Sequence, residues 1–510
     1  WKLSEIAPGS WRTGTGTFRL AASTTPWLSK LMGLPFLLDY PHGCLEQQTS
    51  RLLACTRLGS LLAYLPEAQA RRKNYEHIVS ETFKVLEASL LPGDMLPYWP
   101  QDAEPNDFVT IQAAWCVASA GAAGFAVPDR LAADLPTALE RLVTGQSRRN
   151  PSPSLRAFAI FVLTQFSETP SEAIQSAASE LILRRDQLTG EGRAFLALAL
   201  QAMKMVPEKQ KQLVNELPKT FDQISFQPTI FASATRTEAL CTWARLAIQP
   251  DQAQPALQSR LEELMESSAS LSTQENLWLL VAFQALMEAK PVSPFSTKAL
   301  KPSPTETSTN GSAVAWAATP LSRLPDEVVS GLPRAKSSGS YVLTATYSDG
   351  QRITASESKG MQVDRVIRNL TDPARNGSAD APFQLGDQLL IAYRFASEKP
   401  QNYVALDDLL PAGIEVINPN LALFGKQFTL PELSGGPILE ASHVQMRDQT
   451  TNVYFDTFPA GGGAYAVLAR ATAAGTFIWP ATQIQPMYDS RFFGRSSSES
   501  CMIVSPVSPP

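Results

Sequence analysis

The sequence predicts a multidomain protein of the α plus β class, in which a long helical segment is inserted into a β domain and followed by a β-sandwich. Apolar residues recur at helical spacing before about residue 300 and alternate with polar residues after it. A strand-like segment precedes the helices, with Thr15, Thr17 and Arg19 alternating with Gly16, Phe18 and Leu20. The chain of 510 residues is long enough for about three or four domains.

The helical segment is predicted to be a series of amphipathic helices joined by short loops. Two apolar faces at helical spacing are formed by Leu52, Leu58, Leu61, Leu62 and Leu65, and by Ile78, Val79, Phe83, Leu86 and Leu90. We expect further helices near 108–124, 130–144, 154–167, 171–185, 190–204, 234–247, 255–268 and 272–289. Helices with short connections pack as antiparallel hairpins, so the series predicts a helical solenoid or a closed α/α ring.

The segment 290–309 is rich in Pro, Ser and Thr and predicts a domain boundary. After it, residues alternate with a period of two in 341–347, 389–395 and 453–469, and the turn sequence Ser-Asp-Gly at 348–350 indicates a hairpin. These patterns are typical of a β-sandwich. An isolated N-terminal strand would be only marginally stable, so we expect it to join the β domain that resumes after the helices.

Composition excludes several classes of function. The net charge of -5 argues against nucleic acid as a partner, and the chain has no run of about 18 apolar residues that could span a membrane. The five cysteines and three histidines show no metal-ligand spacing, so we expect no metal and no cofactor. The chain begins at Trp1 without a signal peptide, and we therefore expect an excised fragment whose targeting or anchoring segment lies upstream.

Cys44 and Gln47 are the residues most indicative of chemistry. Pro41 and Gly43 predict a turn, and the helical pattern begins directly after it, so a spacing of three places both side chains on one face of the first helical turn. A thiolate beside a carboxamide can displace ammonia and form a thioester, and a helix N-terminus favours that thiolate. Glu46 between them is interpreted as structural or as an N-terminal helix charge.

Several motifs resemble those of the bacterial branch of the alpha-2-macroglobulin and complement family. The sequence Pro-His-Gly-Cys-Leu-Glu-Gln at 41–47 resembles the thioester signature of this family, and 272–280 resembles the last helical hairpin of its thioester domain. The aromatic loop, 96–100, is similar to a loop of the same domain. The segments 407–415 and 475–489 resemble its terminal macroglobulin-like domain. The resemblance extends over essentially the whole chain.

The resemblance implies a fold and a function. It implies a CUB-like β domain split between 1–22 and 291–361, an α/α-toroid thioester domain at 23–290, and a macroglobulin-like antiparallel β-sandwich at 362–510. The expected function is inhibition of proteases by covalent acylation through a Cys44–Gln47 thioester, in a monomeric protein of the bacterial periplasm. Expected partners are target proteases and small amines such as methylamine.

The resemblance also implies roles for other residues. Tyr98 and Trp99 would wall the thioester pocket, or else form a packed pair that holds the aromatic loop. Tyr488, with Met487, would shield the thioester from water, unless it is an ordinary tyrosine at a strand end. Family members that acylate hydroxyl groups carry a histidine at the position that best matches Asn150, so its absence favours amine acceptors such as lysine.

Three alternatives share parts of this sequence pattern. An enzyme on an α/α ring would need acidic side chains in the ring, and 23–290 contains no Asp-rich motif. An enzyme with Cys44 as nucleophile would need a nearby base, and only His42 and His77 lie in the helical segment. A covalent adhesin or surface tag would use the same thioester chemistry and is distinguished from an inhibitor by the sequence of a bait region.

Overall fold

The chain divides into two compact units, Trp1–Asp349 and Gly350–Pro510, each described here by itself. The computed structural model describes residues 17–23, 31, 33–40, 43–62, 68–167, 169–218, 231, 233–249, 254–266, 271–289, 306–309, 314–320, 340–346, 354–417, 437–447 and 449–506.

Unit 1 contains thirteen helices in its described residues. They are α1 Gly33–Asp39, α2 Leu45–Cys55, α3 Gly59–Leu62, α4 Ala68–Ala88, α5 Asp107–Ala122, α6 Asp129–Val143, α7 Pro153–Leu163, α8 Glu172–Leu183, α9 Gly190–Ala202, α10 Pro207–Asn215, α11 Ala234–Ile248, α12 Gln254–Glu266 and α13 Thr273–Ala289. None of the helices in the described ranges combines the length and apolar character needed to cross a membrane.

Six of these helices close into a ring. The inner helices α2, α5, α7, α9, α11 and α13 pack side by side in that order, and α13 packs against α2. The helices between them in the sequence, α4, α6, α8, α10 and α12, each pack against the two inner helices that flank them in the chain, except that α4 contacts α2 and α6. The inner helices are almost entirely buried, including polar side chains of α2 such as Glu46, Thr49 and Ser50.

A four-stranded antiparallel sheet completes the described part of unit 1. Its strands are β1 Thr17–Ser23, β2 Glu306–Thr309, β3 Val314–Pro320 and β4 Ser340–Thr346, in the order β2-β3-β1-β4. The strand that precedes the helices therefore lies between two strands that follow them, with Leu20 opposite both Ala317 and Leu343. Both ends of the helical segment consequently return to one sheet.

Unit 2 is built of β-strands. They are β5 Glu357–Lys359, β6 Met361–Asn369, β7 Phe383–Gln384, β8 Gln388–Ser397, β9 Gln401–Leu409, β10 Ile414–Val416, β11 His443–Arg447, β12 Thr450–Phe458, β13 Gly461–Ala471, β14 Gly475–Trp479, β15 Gln483–Pro486, β16 Phe493–Arg495 and β17 Glu499–Val504. The sheets have the orders β10-β13-β8-β6, β11-β12-β9-β15-β16-β5 and β14-β17-β7. All pairs are antiparallel except β17 with β7.

The core of unit 2 lies between the sheets and is aliphatic and aromatic. Ile391 and Tyr393 from β8, Leu406 from β9 and Phe455 from β12 are all fully buried there. The alternation that predicts these strands is only partly preserved, because β8 is buried on both faces from Leu389 to Tyr393. The α plus β class predicted from the sequence is confirmed by these elements.

Several elements lie at or near the boundaries expected from the sequence, and the assignment of domains stays a prediction. The two compact units meet in the sequence between residues 349 and 350. Strand β5 lies within the expected segment 291–361 but pairs with β16 of unit 2. The end of the expected linker 290–309 forms β2. The short α1 and the polar α10 had no clear apolar periodicity and were not expected. The predicted turn at 348–350 lies outside the described residues, as do Pro41 and His42.

Candidate functional site

Cys44 and Gln47 lie at the first turn of α2. Cys44 is the N-cap, with extended backbone angles φ −65° and ψ 155°, and its carbonyl oxygen accepts a hydrogen bond from the Gln48 amide at 3.0 Å. Gln47 is therefore the third residue of the helix. The N-cap and third-residue side chains turn back toward each other in a capping box, and the Cys-x-x-Gln spacing occupies these two positions. Both side chains are buried, with exposed fractions of 0% and 2%.

The backbone of this turn is held from two sides. The side-chain amide of Gln48 donates to the Gly43 carbonyl oxygen at 2.6 Å, which fixes the residue before Cys44. The Leu45 amide, which has no acceptor within the helix, donates to the Tyr98 carbonyl oxygen at 2.9 Å. The aromatic loop therefore contacts the first turn of α2 through its main chain.

The Tyr98 and Trp99 rings form a buried aromatic pair. The ring centroids are 5.4 Å apart in an edge-to-face arrangement, and Tyr98 also stacks on Phe231 at 5.7 Å. The Asn106 amide donates to the Leu96 carbonyl oxygen at 2.7 Å and closes the base of the loop. The structure thus shows the packed pair that holds the loop, and a role of these rings in excluding water from a thioester stays a prediction.

The six inner helices begin at the same end of the ring. Hydrogen bonds or ion pairs connect the starts of neighbouring helices in the pairs Thr273–Glu46, Ser233–Glu275, Thr237–Glu191, Thr189–Ser154 and Arg149–Asp107. Because these contacts join first turns or the residues just before them, the N-termini of all six helices converge. The positive ends of their macrodipoles therefore lie at the end of the ring where Cys44 is located.

Acidic side chains occupy the first turns of four of these helices. They are Glu46 in α2, Asp107 in α5, Glu191 in α9 and Glu275 in α13. Negative charge near a helix N-terminus is favourable, which offsets the repulsion among six parallel dipoles. Glu46, interpreted from the sequence as a structural or N-terminal charge, is fully buried within the ring.

Arg236 is a buried cation at the same end of the ring. Its guanidinium lies 3.1 Å from the Glu191 carboxylate and over the Phe108 ring at 5.2 Å. Burial lowers the pKa of Arg236, and the carboxylates of Glu191, Glu46 and Glu275 oppose that shift. Burial raises the pKa of Glu191, and Arg236 opposes that shift. The opposite charges thus partly offset the cost of burying this pair inside the ring.

A cavity of about 10 Å³ adjoins this ion pair, with room for about one water molecule. Its lining is aromatic and polar and consists of Phe108, Ser154, Leu155, Phe158, Glu191, Phe195 and Arg236. A cavity of this size does not hold a small-molecule substrate, whose pockets are about 300 Å³ or larger.

The other cysteines of the ring are buried thiols. Burial raises the pKa of Cys55 and of Cys241 to about 12 and raises the pKa of Cys116 well above its ordinary value. These three thiols are protonated at neutral pH and are poor nucleophiles. They therefore contribute little to thiol titration of the native protein.

Asn150 is exposed in the loop between α6 and α7. The neighbouring Arg149 forms an ion pair with Asp107 at the start of α5, and the Ser152 hydroxyl caps α7 by accepting from the Leu155 amide at 3.3 Å. The loop is thus fixed at the end of the ring where the inner helices begin. Its predicted influence on acceptor choice stays a prediction.

Met487 and Tyr488 belong to unit 2 and lie just after β15. Both are buried, with exposed fractions of 4% and 9%. The Met487 amide donates to the Tyr403 carbonyl oxygen at 2.8 Å, and the Tyr488 ring meets the Tyr403 ring edge to face at 5.5 Å. Within unit 2 they are packed residues, and their predicted shielding of the thioester stays a prediction.

Sequence reasoning missed Arg236, Glu191 and Gln112. Gln112 donates to the Glu46 carbonyl oxygen, and Arg236, the ion-pair partner of Glu191, interacts with the charge of Glu46. The available signal was the acidic residue near the start of four of the six inner helices. Such residues indicate where each helix begins but not that the six N-termini lie together. Among the described residues, no group of three or more His, Cys, Asp or Glu side chains is placed to hold a metal ion. His77 is exposed on α4.

Comparison with known proteins identifies one matching domain family. Residues 360–490 match the family model of the bacterial alpha-2-macroglobulin MG10 domain. The alpha-2-macroglobulin of Rickettsia conorii is 22% identical over 495 residues, which cover 94% of this chain and 25% of the relative. The chain thus spans about a quarter of the length of this curated relative.

Two solved structures have a similar fold. Native alpha-2-macroglobulin from Escherichia coli, spanning domain MG7 to the C-terminus, is 19% identical with a TM-score of 0.74, covering 98% of this chain and 79% of that chain. Alpha-2-macroglobulin of Salmonella reacted with methylamine is 20% identical with a TM-score of 0.76, covering 99% of this chain and 33% of that chain. The resemblance to bacterial alpha-2-macroglobulins inferred from the sequence is confirmed.

Proposed function

We propose that this chain, with its bacterial alpha-2-macroglobulin MG10 domain, is the reactive part of a broad-spectrum protease inhibitor that traps proteases through a Cys44–Gln47 thioester. The observation that carries the proposal is the burial of Cys44 and Gln47 at the two capping-box positions of α2. The similarity to alpha-2-macroglobulins supports the inhibitor function, which would belong to the whole protein.

The chemistry proceeds in two balanced steps. The Cys44 thiol attacks the side-chain carbonyl carbon of Gln47, the carbon–nitrogen bond breaks, and ammonia leaves with the thiol proton. An amine of the target then attacks the same carbon and forms an amide, while the carbon–sulfur bond breaks and Cys44 leaves as a thiol. Each thioester is consumed once, so the protein is an inhibitor and has no turnover.

The finer assignments belong to the same proposal. The helical ring would be the thioester domain, the sheet containing β1 would be CUB-like, and unit 2 would be the terminal macroglobulin-like domain. Lysine amines of the attacking protease would be the preferred acceptors, because Asn150 stands where an imidazole would be needed for hydroxyl acceptors. The periplasmic location also follows from the resemblance alone.

The test of the thioester is an intact mass with and without methylamine. We expect the fresh protein to be lighter than its sequence by one ammonia, because Cys44 has displaced the Gln47 amide nitrogen. Methylamine should add its own mass and release one thiol that titrates in the native protein. Methylamine is a suitable probe because the similar alpha-2-macroglobulin of Salmonella has been crystallised after reaction with it. Cys44→Ala should abolish the mass deficit and the thiol release.

The matched control is Cys116→Ala, which removes a buried thiol from the same ring without touching the motif. It should retain both the mass deficit and the methylamine-dependent thiol. A freshly prepared wild-type protein with its full sequence mass, and with every native thiol unaffected by methylamine, would contradict the thioester proposal.

Shielding by Tyr488 is tested by the rate of thiol release. A thioester exposed to water hydrolyses, so Tyr488→Ala should accelerate thiol release in buffer and in methylamine if the ring excludes water. Tyr488→Phe keeps the ring and should have a smaller effect. Equal rates for the wild type and both variants, with unit 2 still folded, would remove Tyr488 from the mechanism.

A further inference from the structure

We propose that Glu46 is a positioning residue for the thioester: its buried carboxylate holds the first turn of α2 so that the Gln47 side chain stays within reach of Cys44. This inference rests on the proposed thioester function and assigns a role to the residue between the two reacting ones. Glu46 does not contact the acceptor in this proposal and acts only through the geometry of α2.

The Glu46 carboxylate accepts hydrogen bonds from three side chains. The Ser50 hydroxyl donates from the next turn of α2 at 2.7 Å, and the Thr273 hydroxyl donates from α13 at 3.1 Å. The Gln274 side-chain amide donates from α13 at 2.5 Å. Glu46 is fully buried, so water does not replace these donors. The carboxylate therefore joins the first and last inner helices of the ring.

The main chain of Glu46 is held as well. The Gln112 side-chain amide, from α5, donates to the Glu46 carbonyl oxygen at 3.1 Å. Gln112 in turn accepts from Gln274 at 2.9 Å, and Gln274 accepts from the Trp278 indole N–H at 3.0 Å. We call Glu46, Ser50, Gln112, Thr273 and Gln274 the Glu46 cluster.

The cluster fixes the residue directly before Gln47 in position and rotation. Burial of a carboxylate costs free energy unless the group is hydrogen-bonded. For Glu46 this cost is offset by the donors of the cluster, the N-terminus of α2 and the charge of Arg236. A small rotation of the turn would move the Gln47 side-chain carbonyl carbon away from the Cys44 sulfur. Misplacement of reacting atoms by about 1 Å can slow a reaction about 100-fold.

Two substitutions at Glu46 separate hydrogen bonding from charge. Glu46→Ala removes the acceptor and leaves the Gln274 amide and the Ser50 hydroxyl buried without it, so the turn is released. Glu46→Gln keeps the shape: its amide oxygen can accept from Ser50 and Gln274, and its nitrogen can donate to the Thr273 hydroxyl. We therefore expect Glu46→Ala to lower the fraction of molecules lacking ammonia at least about 10-fold, and Glu46→Gln to stay within about twofold of wild type.

The matched control is Glu191→Ala. It removes a carboxylate of equal burial that lies in the first turn of another inner helix and faces the same Arg236, but it leaves every bond of the Glu46 cluster in place. We expect it to lower the temperature of unfolding while the thioester fraction and the methylamine-dependent rate of thiol release remain near wild type. A merely structural role of Glu46 would make the two alanine variants alike.

Thr273→Val provides a milder variant in case Glu46→Ala does not fold. It removes one donor to Glu46 at nearly constant volume, and Thr273→Ser restores the hydroxyl. The Val variant should release its thiol in buffer about 5-fold faster than the Ser variant, as expected for a lost bond of about 1 kcal/mol.

Three outcomes would overturn the assignment. They are a folded Glu46→Ala variant with a normal thioester fraction, a Glu46→Gln variant that does not form the thioester, and equal rates of thiol release for Thr273→Val and Thr273→Ser. A wild-type protein that retains the full ammonia mass would instead overturn the thioester function itself. The two failures are therefore distinguished by the wild-type mass.

Discussion

The proposed thioester places two requirements on Cys44 that oppose each other in most proteins. Cys116 and Cys55 show the effect of burial, which favours the neutral thiol. A thioester sulfur must be buried to avoid hydrolysis, yet it must leave as an anion when an amine attacks. Cys44 is fully buried and is also the N-cap of α2, where helix amides favour negative charge. The convergence of six N-termini strengthens that effect beyond that of one helix.

Acceptor choice is a second property that we propose to be determined at one residue. Asn150 is exposed in a loop that Arg149 fixes to the start of α5. In Asn150→His, an imidazole at this position would attack the thioester carbonyl and transfer the acyl group to a hydroxyl. We expect a glycerol adduct to form about 100-fold or more faster than in the wild type, measured by intact mass after incubation with glycerol.

The control for this prediction is Arg148→His, which places an imidazole at another exposed position of the same loop. It should form the glycerol adduct no faster than the wild type, and both variants should still react with methylamine. An Asn150→His protein that forms amine adducts but no glycerol adduct would show that Asn150 is not the acceptor-determining position.

The sequence was informative about the position of the two proposed thioester residues and uninformative about what holds them. Cys44 and Gln47 stand three apart beside a turn, so their position on one helical turn follows from local rules. The surroundings of Glu46 come from Gln112 and Gln274, which are 66 and 228 positions away. No local pattern reports contacts at that separation, so the sequence leaves Glu46 open between a structural residue and an N-terminal helix charge.

At the level of single elements, the longer helices were predicted closely. The expected helices near 108–124 and 272–289 are α5 Asp107–Ala122 and α13 Thr273–Ala289. The misses have a physical reason: α10 Pro207–Asn215 contains few apolar residues and begins on a proline, which local periodicity does not detect. α7 and α8 end before the expected spans do because the residues that follow them, Thr164, Gln165 and Arg184, are polar and suit a helix end as well as a helix.

Closure of the ring was less accessible than its parts. A solenoid and a closed ring have the same helix lengths and loops, so periodicity left both open. A closed ring differs in that its last inner helix, α13, packs against its first, α2. At this contact, Thr273 and Gln274 donate hydrogen bonds to the Glu46 carboxylate. Complementary polar groups on the first and last helices carry this information, and they are recognised only once both helices are placed.

At the level of the whole chain, each unit carries its own core and its own buried charges. In unit 2, the Arg365 guanidinium lies 2.8 Å from the Asp408 carboxylate, with side-chain exposures of 1% and 0%. Asp408 also accepts from the Tyr393 hydroxyl at 2.9 Å and the Thr482 hydroxyl at 2.7 Å. Arg365 comes from β6, Tyr393 from β8 and Asp408 from β9, so the cluster connects the two larger sheets of the sandwich.

This cluster predicts a pH-dependent stability for unit 2. Burial raises the pKa of Asp408, and the charge of Arg365 opposes that rise. Arg365→Met removes the opposing charge, so the pKa of Asp408 should rise further and the ionised carboxylate should be left without its cation. At neutral pH, we expect the variant to be less stable by about 3–5 kcal/mol, as for other broken buried ion pairs.

The sign of the pH dependence follows from linkage. A carboxyl whose folded pKa exceeds its unfolded pKa binds protons more tightly when folded, so its cost is present above the folded pKa and declines as the pH falls through it. The destabilisation of Arg365→Met should therefore shrink on mild acidification. Hydrogen exchange of the amides in β8, compared between neutral and mildly acidic pH in the full chain, measures this effect, with the amides of α9 in unit 1 as an internal control.

Adding Asp408→Asn removes the titrating group, so the double variant should lose the pH dependence. A destabilisation that stays constant with pH in the single variant would show that Arg365 acts by packing on Trp479, over which it lies at 4.5 Å, and not through its charge.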